Sequence, residues 1–244
     1  MPLKEWFAEW FDSPYYHLLY QNRDEREARF WIDNLCNYLK IEPQHLILDL
    51  ACGKGRHAIY LNQKGYQVVG IDLSDSSIRY ARQFENERLH FYRQDMRDTF
   101  HHQPFDFILN LFTSFGYFET ESDHLKALQN VAQNLKKGGK LVLDFFNTPQ
   151  VIAQLVPQTT VERGDIAFQI QKRLKNQYII KSIDFKTQGR DFHFEERVRA
   201  ISKADFERYF QSAGLKVLEV LGSYDLKPYR EKESERMIFV VEKE

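Results

Sequence analysis

Two aspartates and a glycine-rich turn are the residues of this sequence best suited to hold a ligand. The segment Leu48-Asp49-Leu50-Ala51-Cys52-Gly53-Lys54-Gly55-Arg56-His57 reads as the end of a buried strand, a tight turn and the opening of a helix. Gly53 and Gly55 let the backbone turn sharply and approach a ligand closely, and the helix N-terminus then offers free N–H groups. Asp72 ends the next apolar run. Its spacing from Gly53 suits a carboxylate that accepts both hydroxyls of a ribose. Asp49 stands just before the first glycine, where a carboxylate repels a pyrophosphate and suits a cationic ligand. Gln94-Asp95-Met96 follow a third apolar run, where a polar group can receive the exocyclic amine of adenine, and Asn110 ends a fourth. Taken singly, each of these residues is as readily a turn cap as a ligand contact. The pattern Gly53-x-Gly55-x-x-Ala58 by itself also fits a nicotinamide dinucleotide. Four polar positions after four consecutive strands converge on one crevice, because doubly wound sheets bind ligands outside the carboxyl ends of their strands.

The elements that must position these residues follow from the apolar pattern. Strands are expected over 46–51, 67–72, 89–94, 105–112 and 140–146. Helices are expected through 61, over 74–84 with Ser74 as cap, and over 121–135, ending at Gly138-Gly139. Near-continuous apolar strands separated by helices mean a parallel sheet covered on both faces. From residue 160 the pattern changes to alternation over 167–171, 178–185 and 192–200, with turns at Lys175-Asn176 and Gln188-Gly189-Arg190, which predicts antiparallel strands. A helix over 203–213 stops at Gly214. The segments 215–222 and 236–243 then pair antiparallel and return to the main sheet. The insert at 160–200 is too small for an independent core, so it reads as a cap on a single domain spanning 1–244. Residues 1–40 are helical and aromatic, with Trp6, Phe7, Trp10, Phe11, Tyr15, Tyr16 and Tyr20. Within them a helix over 24–39 places Ala28, Trp31, Ile32, Leu35 and Leu39 on one face.

Composition bounds the function. The 244 residues are 43% hydrophobic and 28% charged, with a formal net charge of −1. That balance argues against a cationic face for nucleic acid or anionic membrane. Cys36 and Cys52 make neither a disulfide framework nor a zinc spacing, so no metal is expected and a reducing, cytoplasmic setting is. No apolar stretch approaches the roughly 20 residues of a spanning helix, and the N-terminus lacks the apolar region of a signal peptide.

On these residues the chain resembles the class I S-adenosylmethionine-dependent methyltransferases over 40–147, and its last two strands resemble the reversed final hairpin of that fold. The acidic glycine-rich motif of the family matches Asp49, Ala51, Gly53 and Gly55. Its ribose-binding acid matches Asp72, its adenine-contacting motif Asp95-Met96, and its motif after the fourth strand Asn110-Leu111-Phe112. Lys137 stands where proline is usual. A narrower likeness, through Asp95-Met96-Arg97-Asp98, Phe105-Asp106 and Asn110-Leu111-Phe112-Thr113-Ser114-Phe115-Gly116-Tyr117, is to a subgroup of bacterial small-molecule methyltransferases that includes sugar-amine N-methyltransferases. The resemblance implies a Rossmann-like α/β fold: a doubly wound, mostly parallel seven-stranded sheet with a reversed C-terminal hairpin and a small antiparallel cap. It implies S-adenosylmethionine as cofactor and a small molecule as acceptor. It also implies that 15–23 lies over the cofactor and that the insert covers the acceptor. The cofactor-binding residues so implied are Tyr20, Asp49, Ala51, Gly53, Gly55, His57, Asp72, Leu73, Asp95, Met96, Asn110, Leu111 and Phe112. Tyr16, His17 and Tyr117 are the candidates at the reacting centre.

Methyl transfer is an in-line displacement from a sulfonium, helped chiefly by alignment and exclusion of water. Aromatic faces bind such a cation without attacking it. Tyr15, Tyr16, Tyr20, Phe112, Phe115 and Tyr117 could serve, and each could equally be core. His17 could take a proton if the acceptor must lose one. Arg197 and Arg199 point the same way on an alternating strand. Facing the pocket they favour a carboxylate or phosphate on the acceptor; facing water they are a solvated edge. Three other readings compete. A nicotinamide-dependent dehydrogenase is opposed by Asp49 and by the antiparallel terminal pair. A nucleic-acid methyltransferase acting on exocyclic amines would carry Asn/Asp-Pro-Pro-aromatic after the fourth strand, where this chain has Asn110-Leu111-Phe112-Thr113. A cofactor-binding protein without catalysis shares all the motifs.

Overall fold

The structure, a computed structural model, describes residues 6–21, 25–100 and 102–244. The parts of the expected N-terminal lid at 1–5 and 22–24, including Arg23 and the expected helix start at Asp24, lie outside the described residues.

The chain opens with two short helices, α1 (Trp6–Phe11) and α2 (Pro14–Leu19), and a longer one, α3 (Glu25–Leu39). Ser13 caps α2: its Oγ accepts from the Tyr15 N–H at 3.2 Å, and Pro14 at the first helical position has its φ already set. The main body then alternates β1 (Leu46–Leu50), α4 (Arg56–Gln63), β2 (Gln67–Asp72), α5 (Asp75–Ala81), β3 (Leu89–Arg93), β4 (Phe105–Asn110), α6 (Glu121–Asn134) and β5 (Leu135–Phe146). After α7 (Thr148–Ala153) come β6 (Gln158–Arg163), β7 (Ile166–Lys175), β8 (Tyr178–Thr187) and β9 (Arg190–Arg199). The chain closes with α8 (Lys203–Ser212), β10 (Leu215–Leu221) and β11 (Arg236–Lys243).

One sheet of seven strands runs β10-β11-β5-β4-β1-β2-β3. The first five strands in sequence are parallel, β11 runs antiparallel to β5, and β10 at the edge runs antiparallel to β11. All five residues of β1 are buried, because both faces of the sheet are covered. Leu48, Leu50 and Phe105 pack with α6 and α8 through Val131 and Phe206. Ile47 and Phe91 pack on the other face with Trp31, Leu61 and Ile78. This two-sided burial is why the strands read as unbroken apolar runs. Strand order reverses between β1 and β4, which opens a crevice at their carboxyl ends.

Two differences from the sequence expectation have local causes. The helix over 121–135 does not end at the glycine pair. Leu135 already has extended angles (φ −84°, ψ 142°) and pairs with Phe105. Gly138 and Gly139 lie inside β5, where the register jumps from Phe105↔Leu135 to Phe107↔Lys140. Gly138 takes φ +73°, and a Cβ on Gly139 would sit 3.1 Å from the Phe105 carbonyl oxygen. The pair makes a strand irregularity, not a helix cap. The insert also begins earlier than the alternation suggests, with β6 added as an edge strand of a four-stranded antiparallel sheet, β6-β7-β8-β9. Its two-residue turns, Asn176-Gln177 and Gln188-Gly189, have positive φ at both positions, the hairpin geometry that matches strand twist. The inner face of this sheet, with Phe168, Ile170, Ile183 and Phe185, is completed by Trp10 and Leu19 from the N-terminal helices. Among the described residues, no helix is long and apolar enough to cross a membrane.

Candidate active site

A cleft of about 380 Å³ lies at the carboxyl ends of β1, β2 and β4, roofed by α1 and α2. Asp49, Ala51, Gly53, His57, Asp72 and Leu73 line it from the first two strands and their turns. Asp95, Met96, Leu111, Phe112 and Tyr117 line it from the next two, and Tyr16, His17 and Tyr20 from the roof. Gly55 and Asn110 do not reach it.

The turn after β1 is built on positive φ at Ala51 (+62°), Gly53 (+56°) and Gly55 (+80°). The two glycines have different neighbours. A Cβ on Gly53 would meet nothing within 4 Å, so that face of the turn is open. A Cβ on Gly55 would lie 2.7 Å from the Phe91 ring, so Gly55 lets the turn into α4 pack closely on the sheet. Asn110 is 1% exposed and donates from Nδ2 to the Leu50 carbonyl at 3.0 Å, tying the end of β4 to the end of β1.

Both strand-end aspartates are held by backbone donors. Asp72 accepts from the Gly53 N–H and the Ser74 N–H, each at 2.8 Å, so it joins the two turns. Asp49 accepts from the Ala58 N–H at 3.1 Å. Burial raises both carboxyls. Asp49 is pushed up to about 7, with the Ala58 bond opposing and the Asp72 charge adding to the rise. Asp72 is raised in the same sense. Burial also pushes Asp95 up, but its bonds to Arg97 outweigh that and hold it below the usual carboxylate range.

Two destabilised carboxyls in an open cleft suit a cationic ligand that restores their charge, which gives a test. A cation bound near Asp49 favours its ionised form, so binding releases a proton. Affinity should rise with pH up to about 7 and level off above, by at most about tenfold per pH unit. In the unliganded protein the sign is opposite: Asp49 keeps its proton when folded and has lost it when unfolded between about pH 4 and 7, so stability falls as pH rises through that window. Titration calorimetry of S-adenosylhomocysteine at pH ~6 and ~8 measures the first effect. An unchanged affinity, or the same slope in Asp49→Asn, would remove Asp49 from the ligand's surroundings.

The wall after β4 carries strain and a support that the sequence reading missed. Phe112 (φ +56°) and Thr113 (φ +59°) are both left-handed. Asp144, fully buried on β5, holds them: its Oδ2 accepts from the Phe112 N–H at 2.8 Å and its carbonyl from the Thr113 N–H at 3.0 Å. Arg236 pairs with Asp144 at 2.7 Å and donates to the Thr113 hydroxyl at 2.9 Å. Tyr224 donates to Asp144 at 3.1 Å. Phe112 then stacks on His57 at 5.1 Å and receives the Arg56 guanidinium over its ring at 4.9 Å. An acid inside the apolar run 140–146 was the available signal, since a buried carboxylate requires a partner.

The roof brings aromatic rings to the opposite side. Phe11 contacts Tyr16 at 5.0 Å and Tyr117 at 5.2 Å, and Phe7 and Phe118 complete this wall. Phe7 and Phe11 lie one helical turn apart, which was legible as a shared face. Asp12 fastens the roof to the start of α5, accepting from the Ser74 hydroxyl at 2.7 Å and the Ser76 N–H at 3.1 Å. His17 is held neutral: burial and the Lys54 charge lower its pKa to about 4, and its Nε2 has no hydrogen-bond partner among the described residues. Tyr15 turns away from the cleft onto Phe185 and Phe192, each at 4.8 Å. Phe115 is core, 2% exposed, against Phe118 and Phe206. Arg197 and Arg199 also stay outside the cleft, paired with Glu195 and Glu121.

The cleft therefore offers carboxylates and an open backbone turn on one side and aromatic faces on the other. No group of three or more His, Cys, Asp or Glu side chains among the described residues could hold a metal ion.

A family model described as a methyltransferase domain matches residues 47–139. A putative methyltransferase of Bacillus subtilis (strain 168) is 35% identical over 122 residues, 49% of this chain and 49% of that protein. The dTDP-3-amino-3,4,6-trideoxy-alpha-D-glucopyranose N,N-dimethyltransferase of Streptomyces venezuelae is 25% identical over 182 residues, 70% of this chain and 75% of that protein. The chain thus spans about half the length of the first of these relatives and three-quarters of the second. Among solved structures, an S-adenosylmethionine-dependent methyltransferase from Clostridium acetobutylicum ATCC 824 superposes with a TM-score of 0.78 at 22% identity, covering 97% of each chain. It shares the fold.

Proposed function

We propose that this chain, whose residues 47–139 match a methyltransferase-domain model, is a class I S-adenosylmethionine-dependent methyltransferase that transfers a methyl group to a small-molecule amine. The observation that carries the cofactor half is the meeting of Asp49, Asp72 and the open face of Gly53 in one cleft. Asp72 would accept the ribose hydroxyls, and Asp49 would face the amino-acid ammonium. Asp95 and Met96 would border the adenine. Ala51, Gly53, His57, Leu73, Leu111, Phe112 and Tyr20 would supply the surrounding contacts. Gly55 and Asn110 would act one step removed, by holding the turn and the strand ends.

S-Adenosylmethionine supplies a methyl carbon made electrophilic by its sulfonium. Tyr16 and Tyr117, with Phe11, would face that cation and keep water from it. The low basicity of His17 agrees with an amine as the acceptor. A base with a pKa of about 4 holds almost no proton at neutral pH, so it cannot drive ionisation of a hydroxyl. An amine needs less help: the fraction that has given its proton to water carries a lone pair, which forms the new bond to carbon as the carbon–sulfur bond breaks, and the extra proton on the product nitrogen then leaves to water. The amino-sugar substrate in the name of the Streptomyces venezuelae relative agrees with that choice.

Thermal melting gives the first test. S-Adenosylhomocysteine at about 100 times its Kd should stabilise the protein by about 2.7 kcal/mol through linkage, and NAD should leave the melting temperature unchanged. Stabilisation by NAD alone would replace this reading with the dehydrogenase.

A further inference from the structure

We infer that Glu196, which lies outside the cleft, is the positioning residue that sets the aromatic roof over it; the inference rests on the methyltransferase reading above. Glu196 is on β9 of the insert, and its side chain is 14% exposed. Its Oε1 accepts from Trp10 Nε1 at 2.6 Å and from the Tyr20 hydroxyl at 2.7 Å, and its Oε2 lies 2.9 Å from the same hydroxyl. Trp10 belongs to α1, and Tyr20 caps the far end of α2. One carboxylate therefore grips the two-helix roof at both helices.

Lys181, on β8 and also 14% exposed, is the counter-ion at 3.5 Å. It donates to the Tyr20 hydroxyl and lies 4.5 Å from the Tyr20 ring centre. A carboxylate this enclosed needs both the charge partner and the donors, and charge-assisted bonds fix direction more firmly than apolar packing does. The grip reaches the cleft through rings. Trp10 meets Tyr16 at 5.7 Å and Tyr20 meets Tyr16 at 4.9 Å, and Tyr16 meets Phe11 at 5.0 Å. Tyr16, Tyr20 and Phe11 line the cleft, whereas Glu196 does not. Apolar contacts of Trp10 and Leu19 with the insert keep the roof attached. They do not specify its register, because hydrophobic contact is non-directional.

The test uses the full chain with S-adenosylhomocysteine as probe and hydrogen exchange of residues 12–20 as readout. Glu196→Met keeps much of the side-chain length but accepts from neither Trp10 nor Tyr20. Lys181→Met in the same chain removes the charge that would be stranded, so loss of fold and loss of position separate. The double variant should melt within about 5 °C of wild type and bind the probe within roughly tenfold. Its 12–20 amides should exchange at least about tenfold faster, with the probe no longer slowing them. Lys181→Met alone leaves the carboxylate without its counter-ion, so it should melt below the double variant. Should the double variant fail to fold, Trp10→Phe with Tyr20→Phe removes the two donors instead and should give the same exchange pattern. Unchanged exchange at 12–20 in a folded variant would overturn the inference. Failure of wild type to bind the probe would instead sink the methyltransferase reading, and the unliganded exchange comparison would still decide the role of Glu196.

Discussion

Asp72→Ala is expected to lose roughly 1.5–3 kcal/mol of S-adenosylhomocysteine affinity, about 10- to 150-fold, while remaining folded. The estimate is that of charge-assisted hydrogen bonds from a carboxylate to ribose hydroxyls. A second loss adds to it. Asp72 also receives the Gly53 and Ser74 N–H groups, so its removal loosens the open turn. The fold should survive because burial raises the Asp72 carboxyl. At neutral pH a group with that shift works against folding, and its loss offsets the two unpaired backbone donors. Calorimetric titration of the variant against wild type decides the matter, and equal affinities would take Asp72 out of the site.

Gly55→Val is expected to destabilise the protein by about 3–5 kcal/mol, whereas Gly53→Ala should cost only about 1–2 kcal/mol and abolish binding of the cofactor product. Both glycines have positive φ, so both substitutions carry backbone strain. They differ in what the new atoms meet. At Gly55 the first added carbon is already 2.7 Å from Phe91 and 3.3 Å from Ala81, and Phe91 is fully buried and cannot give way. At Gly53 the space is open, and the new methyl stands where a ligand would lie. Urea unfolding and ligand titration, run on both variants, separate the two roles. Normal binding by Gly53→Ala would make that turn structural only, and wild-type stability in Gly55→Val would refute the packing account.

What could be read from the residues divides along the range of the interactions. The seven strands of the main sheet and their reversed ending were legible because burial on both faces leaves continuous apolar runs, as at Leu46–Leu50. The cleft's acidic side was legible because Asp49, Gly53 and Asp72 follow strand ends by short, fixed spacings. Strand β6 was not, since none of its residues is fully buried and its alternation is faint. The glycine pair at 138–139 resembled a helix cap because local sequence does not reveal that Leu135 has already joined a strand. Asp12, Asp144 and Glu196 escaped for a different reason. Each is an acid whose partners are 62, 92 or 186 positions away, in Ser74, Arg236 and Trp10. Asn110 was legible as a polar strand end, but its bond to Leu50 depends on how the strands neighbour one another.

The separation of 186 positions between Trp10 and Glu196 also orders events during synthesis. The roof helices are made well before the face they complete, on Phe168, Ile183 and Phe185. At about 5–20 residues per second, the ribosome needs roughly 10–40 s to deliver the carboxylate that Trp10 awaits. Through that interval Trp10 and Leu19 lack the surface that buries them in the finished protein. The nascent chain therefore carries an uncovered aromatic segment that a holding chaperone would recognise, and release from it should coincide with emergence of the insert. Arrested nascent chains of graded length, probed by limited proteolysis near residues 10–20, would show protection arising only once β9 is outside the ribosome.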